Sequence, residues 1–553
     1  MFTKQDEAGE HDSPPIHVEH HGTMGESSAV EIGDQTDELH RGLKSRHIQF
    51  IALSGAIGTG LFIGSGSILA STGPASLFLA YICMIFVVWV IMDCLAEMVT
   101  YLPLRGVTIP YLVGRFLDPS VAFTAGWNYW FAYAILIGAE ATAAGIVVEY
   151  WKPPVHVALW IAIILAVLLV LNIFSVSYYG ESEFWFSSIK FITIIGLIIV
   201  GIVIFFGGGP DQHGILGFSN WKVPDGAFKE FGKKSGVDGD AGRFLGFWYA
   251  FIQASFAFLL SAELIAIAAG ETVAPRRNIP KAARRFAWRL LIFYGCSSLI
   301  VGILVPSTEK DLLGASDAGA SPFVIGIHNA GIPVLNHIIN AAILTSAWSA
   351  GNSFLFSGSR VLYSLAKDGD APRIFQTTNK KGVPWVAVVA TWSIGLLAFL
   401  NVSNSGGVVF GWLVNIIIGC GFISWIIICI TYLRFRRAMQ YHGLLDTLPF
   451  RSRLQPYKTW VVLVTVIILT LTKGFDIFLA GNWDAKSFVA AYITLPLVLA
   501  IYIGHKIWSR TPLYIPTKDI DVLTGKREMD ALEAREVPRV PKNWLEKIWY
   551  WVA

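Results

Sequence analysis

From Ile48 to Trp508 the chain is a succession of apolar runs, most of about 20 residues, the length that carries an α-helix across a ~30 Å hydrocarbon core. In that medium no water satisfies backbone N–H and C=O groups, so such runs fold as helices that close their own hydrogen bonds. The runs fall near Ile48–Ser71, Ala75–Tyr101, Val121–Val148, Val157–Val176, Phe184–Phe206, Phe244–Gly270, Trp288–Val305, Val334–Leu365, Val383–Leu400, Gly406–Leu433, Thr459–Phe475 and Phe488–Trp508. They predict an all-α polytopic membrane protein with twelve transmembrane helices and both termini on one side. Only 15% of residues are charged, against about a quarter in soluble chains.

Lys and Arg in the connections set the orientation. With the N-terminus inside, inner segments hold Arg41, Lys44 and Arg46, then Arg105 and Arg115, then Arg276, Arg277, Lys281, Arg284 and Arg285. Lys367, Arg373, Lys380 and Lys381 follow, then Arg434, Arg436, Arg437, Arg451, Arg453 and Lys458. Outer connections are short or balanced in charge, so both termini are expected in the cytosol. Residues 1–46 are too polar to bury a core and read as a disordered tail without a cleavable signal pattern. Residues 47–508 read as the membrane domain and 509–553 as a cytosolic C-terminal tail, whose aromatic cluster at Trp544, Trp549, Tyr550 and Trp551 suits the interface or the inner face of the bundle.

A net charge of +3 gives no reason to expect nucleic acid. The five cysteines (Cys83, Cys94, Cys296, Cys420 and Cys429) all sit in apolar runs, without metal-ligand spacing or a disulfide framework. No nucleotide loop, metal cluster or nucleophile motif is present, so neither an enzyme nor a metal or other cofactor is expected.

The first span carries a signal of its own. In IALSGAIGTGLFIGSG, Ile51 to Gly66, glycine recurs at 55, 58, 60, 64 and 66. Each weakens a helix interior by roughly 1 kcal/mol relative to alanine. That suits a helix broken in mid-membrane to offer bare backbone groups to a solute; the alternative is a straight helix whose small residues let neighbours approach. Five spans later, SFAFLLSAELIAIAAGE carries a polar interruption at Ser261-Ala262-Glu263. Broken first and sixth spans are what a five-plus-five inverted repeat requires, here about 48–206 and 244–433 with two extra helices over 459–508.

Other stretches carry a resemblance. GAIGTGLFIGSG preceded by LHRGLKSRHIQFIAL, AEMVTYLP (Ala96–Pro103), DPSVAFTAGWNYW (Asp118–Trp130), GETVAPRRNIPKA (Gly270–Ala282) and SRVLYSLAKDGDAP (Ser359–Pro372) resemble, in order, the fungal amino-acid permeases of the amino acid–polyamine–organocation superfamily. The resemblance implies a fold similar to the bacterial sodium-coupled leucine transporter, with helices 1 and 6 broken. It implies proton-driven, alternating-access import of amino acids at the plasma membrane, with amino acid, protons and lipid bilayer as partners and no cofactor beyond the proton gradient. Cytosolic lysines such as Lys4 and Lys44 would permit ubiquitin-ligase or adaptor contacts on the tails.

An amino acid brings a carboxylate and an ammonium, and a low-dielectric site must satisfy both. N–H groups around Gly58, Thr59 and Gly60 would hold the carboxylate, as at other half-helix N-termini, and the resemblance implies the same positions. Carbonyls near Ala56, and between Phe258 and Ser261, would accept from the ammonium. Leu260 and Ser261 line the sixth-span break, and Phe258 and Phe354 are candidate aromatic gates. Where the family has Gly-Thr before the sixth-span glutamate, this chain has Ser261-Ala262 with an added step at Leu259-Leu260.

Ionisable residues inside spans are costly enough to be suspected of function. Lys190 matches the fifth-span lysine that, in proton-coupled relatives, occupies the cation position between first and eighth spans; it would carry the proton, brace first-span carbonyls, or both. Glu140 matches a third-span glutamate facing the site, which would carry a proton or recognise a cationic substrate. Glu263 matches a sixth-span carboxylate that would hold the broken helices through hydrogen bonds, while protonated, and is the third proton-coupling candidate. Asp93 and Glu97 read equally as a solvated helix end. The expected solute is a neutral amino acid over a broad range. The alternatives are a permease selective for proline, a polyamine, carnitine or 4-aminobutyrate, and an amino-acid-sensing receptor that transports little.

Overall fold

In the computed structural model the described residues are 58–102, 108–174, 176–222, 226–231, 236–263, 275–312, 321–332, 334–512, 514–527, 530 and 544. Helices account for the regular structure among them. In chain order they are α1 (Gly60–Thr72), α2 (Pro74–Tyr101), α3 (Ile109–Phe116), α4 (Pro119–Glu149), α5 (Val157–Phe174), α6 (Val176–Phe205) and α7 (Gly239–Glu263). Then come α8 (Arg276–Leu304), α9 (Pro322–Asn329), α10 (Leu335–Lys367), α11 (Trp385–Val402), α12 (Gly406–Tyr441), α13 (Tyr457–Thr472), α14 (Ala485–Tyr492) and α15 (Thr494–Ser509).

Eight of these helices are long and apolar enough to cross a membrane, and α14 with α15, bent by 44°, makes a ninth. The other three expected spans depart from that description for different reasons. Only the part of the first from Gly58 onward lies in the described residues, and α13 is 16 residues long. At 33 residues α10 is long enough, but it is too polar to qualify. Its polar side chains point into the bundle. Asn340 Nδ2 donates to the Val147 carbonyl on α4 (2.9 Å), and Asn352 Oδ1 accepts from Asn172 Nδ2 on α5 (2.8 Å). Such bonds tie helices together where lipid gives apolar contact no advantage.

The centre of the bundle is α4. Its apolar window is 94% buried, against 22% for α5 and 28% for the apolar part of α6, which therefore lie at the periphery. Asp118 caps α4, accepting from the backbone N–H groups of Ser120 (2.7 Å) and Val121 (3.0 Å), with Pro119 at the first helical position. Small residues let its neighbours close in: a Cβ at Gly358 of α10 would stand 3.0 Å from Tyr133 Cβ, and one at Gly351 3.6 Å from Glu140 Cβ. Opposite them, Asn128 donates to the Cys420 carbonyl and to Ser424 Oγ on α12, both at 2.9 Å.

One end of α2 departs from expectation. Asp93 and Glu97 are buried, at 3% and 0% exposure, rather than solvated. Glu97 accepts from Tyr432 Oη (2.6 Å), from the Ser452 N–H (2.7 Å) and from Arg436 (3.4 Å). Asp93 accepts from Ser452 Oγ (2.6 Å) and pairs with Lys458. The carboxylates lose their water because the 442–456 connection folds back over them. The C-terminal segment is likewise packed down: Ile520 and Val522 are buried, the Val522 carbonyl accepts from Tyr101 Oη (2.9 Å), and Arg115 donates to the carbonyls of Asp521 and Thr524 (both 2.8 Å). Among the cysteines, Cys94, Cys420 and Cys429 are buried, Cys83 half-buried and Cys296 exposed.

Removing one member of a buried charge pair strands the other. Glu97→Ala is expected to destabilise the protein by about 3–5 kcal/mol, read as thermal unfolding in detergent. Arg451→Ala, which breaks an exposed pair with Asp446, is expected to cost less than about 1 kcal/mol.

Candidate functional site: the junction of α1 and α7

The chain bends at Gly58 and is helical from Gly60. The first five residues of α1, Gly60–Gly64, form a π-turn, a widened ladder that often marks functional positions. In α7 the ladder tightens to a 3₁₀ turn over Ser255–Phe258 and then breaks. Leu259 is extended (φ −60°, ψ 140°), and Leu260 is left-handed at φ 62°. A side-chain-bearing residue in that region is strained, by about 1–3 kcal/mol, and persists only where its surroundings hold it. The added leucine step is therefore the break itself, just ahead of the polar Ser261-Ala262-Glu263. A helix resumes over residues 261–263.

The start of α1 meets the last turn before the α7 break at close range. A Cβ at Gly60 would lie 2.7 Å from Ala257 Cα, closer than atoms tolerate. Here the glycine serves close approach, the alternative weighed for the whole stretch. Its neighbour Thr59, fully buried, donates through Oγ1 to Glu140 Oε1 on α4 (3.0 Å), and a Cβ at Gly58 would meet the same oxygen at 3.6 Å. Gly58, Thr59, Gly60 and Glu140 are thus brought together at one point, with Phe258 beside it. Ala56 lies outside the described residues.

Phe258 is fully buried between two tyrosines, 5.6 Å from the Tyr81 ring and 4.5 Å from that of Tyr294. Ser261 Oγ donates to the Phe258 carbonyl (2.6 Å), occupying one lone pair of a group expected to face the ammonium. Phe354 is buried on the seam of α4 and α10, its ring 6.2 Å from that of Tyr133 and one turn beyond Gly351, which abuts Glu140. Glu263 is fully buried and accepts from Trp425 Nε1 on α12 (3.2 Å), a tie away from the α1 contact.

Lys190 is 1% exposed on α6, and its Nζ makes no hydrogen bond among the described residues. Two carboxylates lie within its electrostatic reach, Glu183 and Glu140. Glu140 Oε2 is also buried without a hydrogen bond. The sequence reading passed over Glu183, which is fully buried and accepts from Ser349 Oγ on α10 (2.8 Å). It was there to be found, because seven residues, two helical turns, place it on the Lys190 face. Among the described residues no group of His, Cys, Asp and Glu has the arrangement of a metal site.

The family profile of amino acid permeases matches residues 47–514. The chain belongs to the amino acid permease family. The proline-specific permease of Emericella nidulans is 54% identical over 527 residues, 94% of each chain. The proline-specific permease of Saccharomyces cerevisiae is 46% identical over 537 residues, 95% of this chain and 85% of that one. Among solved structures, Mhp1, a nucleobase-cation-symport-1 family transporter in a closed conformation with bromovinylhydantoin bound, matches at 18% identity and a TM-score of 0.45, over 87% of this chain and 97% of its own. The chain is a multi-pass membrane protein of a transporter family and not an enzyme.

The contact at Gly60 gives a direct test. Gly60→Ala places a methyl group against backbone, which cannot step aside as a side-chain end can. Uptake per surface molecule is expected to fall by about tenfold or more, of order 1.4 kcal/mol in transition-state terms, with surface amount followed by fluorescence. Gly58→Ala, meeting Glu140 at ordinary contact distance, is expected to be the milder change.

Proposed function

We propose that the protein imports proline across the plasma membrane by proton symport, through twelve spans whose first ten form a five-plus-five inverted repeat, with both termini in the cytosol. The observation that carries the substrate is the similarity, over nearly the whole chain, to two permeases named proline-specific. It favours the proline-selective alternative over the broad-range neutral permease expected from sequence.

The site's chemistry is compatible with that substrate. The N–H groups at Gly58, Thr59 and Gly60 receive the carboxylate, and Phe258, Leu260 and Phe354 offer apolar surface for a compact aliphatic ring. Proline's secondary ammonium has two N–H donors where a primary one has three, and it asks less of a junction whose Phe258 carbonyl already accepts from Ser261. A cationic side chain would need an unpaired acid, whereas Glu140 already has Thr59 as donor and Lys190 within reach.

The coupling group is the cluster of Glu140, Glu183 and Lys190. Two carboxylates and one ammonium leave a formal charge of −1, which one proton cancels. Burying net charge is costly and burying a neutral set is far less so, so protonation accompanies closure of the site. Thr59 reports the state of α1 to that cluster through Glu140. Glu263, tied to Trp425, braces the broken α7.

Labelled proline uptake in permease-deficient yeast tests the reading. Saturable uptake is expected, stronger at acid external pH, abolished by an uncoupler, and displaced by excess proline but weakly by alanine, lysine, carnitine, polyamine or 4-aminobutyrate. Displacement by one of those compounds in preference to proline reassigns the substrate, and binding without flux favours a receptor. For Lys190→Ala, loss of accumulation against a gradient is expected; full accumulation removes the lysine from coupling.

A further inference from the structure

Two tyrosines outside the expected site hold the start of α1 and the end of the first half of α7. Tyr81 Oη on α2 donates to the Gly60 carbonyl (3.2 Å), and Tyr294 Oη on α8 donates to the Ala257 carbonyl (3.0 Å). Gly60 and Ala257 are the residues at which α1 and α7 touch. We propose that Tyr81 and Tyr294 are a matched pair of positioning residues, which fix the spacing between the start of α1 and the break in α7 and thereby the affinity for the carried amino acid.

Several features support the pairing. Tyr81 is 0% and Tyr294 1% exposed, so each hydroxyl must find its partner inside the bundle. Each partner is a carbonyl whose regular helical bonding is disturbed. Gly60 opens the π-turn of α1, and Ala257 stands two residues before the ladder ends at Leu259, among the last carbonyls of a helix, which have no intrahelical donor. Tyr294 itself lies in a second π-turn, Leu291–Gly295, within α8.

The rings add a common bearing. The two tyrosine centroids are 6.3 Å apart, and Phe258 makes ring contact with both. In the five-plus-five arrangement proposed above, α2 stands to α1 as α8 stands to α7. Both ties then occupy equivalent places, one in each repeat. Phenylalanine at either position would preserve the ring contacts, so the hydroxyl is the part with a separate purpose. Each hydroxyl ends on a backbone carbonyl, so each tyrosine acts through the segment it holds.

The inference rests on the reading that the α1–α7 junction binds proline. Tyr81→Phe, Tyr294→Phe and the double variant of the full chain, expressed in permease-deficient yeast, remove the hydroxyls and leave the rings. Each single variant is expected to raise the KM for labelled proline about threefold or more, the scale of one lost hydrogen bond, with Vmax per surface molecule near that of the parent. Because both ties secure one junction, the double variant is expected to lie near the worse single rather than at their product. A KM rise below about threefold in either single, a fall in Vmax alone, or a multiplicative double overturns the pair. Where a variant stays inside the cell, its proline-induced thermal shift in solubilised membranes reads affinity instead. A shift equal to the parent's overturns the proposal, and a diminished one supports it. A parent that takes up no proline overturns the substrate reading, whereas a working parent with unaltered variants overturns this inference alone.

Discussion

Everything around the site depends on the start of α1 meeting the interrupted α7 at close range. At Gly60 and Ala257 nothing larger than the Ala257 methyl group stands between α1 and α7 to set their distance. Carbonyls at such a place are far from water, and an unbonded one costs about 1–3 kcal/mol. The chain answers with hydroxyls: Tyr81 to Gly60, Tyr294 to Ala257 and Ser261 to Phe258. The left-handed Leu260 adds strain, held by packing in which Leu259 sits over Gly421 of α12. A junction of this kind is stiff in direction and open to small displacement, because each tie is a single bond.

Charge is distributed by a different rule. Near the junction Lys190 has two carboxylates within electrostatic reach and, among the described residues, makes no hydrogen bond, an arrangement poorly compensated in one protonation state and better in another. At the end of α2, Glu97 accepts three bonds and Asp93 two, one of them from its ion-pair partner Lys458. The carboxylates of the second group have their donors as they stand. Buried ion pairs contribute little net stability when complete and cost several kcal/mol when broken. The first group therefore suits a coupled step, and the second suits a fixed joint between α2, α12 and the start of α13.

Much of this was legible in the sequence, and the failures have physical reasons. Apolar run length identifies the helices because lipid leaves the backbone no other choice. The polar Ser261-Ala262-Glu263 stands just after the break in α7, whereas most of the break expected in the first span lies outside the described residues. Hydropathy misrepresents α10, whose asparagines and serines face other helices and not lipid. Run-based reading took Asp93 and Glu97 equally for a solvated end, because it cannot see the 442–456 connection fold over them. Glu183 escaped for a simpler reason: it precedes the apolar core of its span, where charge excites no suspicion, although its two-turn spacing from Lys190 was readable. The ties from Tyr81 and Tyr294 are of another kind. A tyrosine in an apolar run carries no sign of which carbonyl, 21 or 37 residues away, it will reach.

A bundle held in lipid gains little from apolar contact between its helices, since the tails outside are as apolar as the side chains within. What distinguishes one packing from another is then the set of polar bonds each satisfies. Across the α4 seams those bonds are many, from Asn128, Asn340 and Asn401 among others. Among the described residues of the α1–α7 junction they are single, and those from Tyr81, Tyr294 and Ser261 end on backbone carbonyls. A solute that brings its own carboxylate and ammonium competes with them on equal terms, replacing or reinforcing bonds of about its own strength. On the proposed reading, so few ties among the described residues of the junction would let a ligand as small as an amino acid decide how α1 and α7 sit, while the seams of α4 stay as they are.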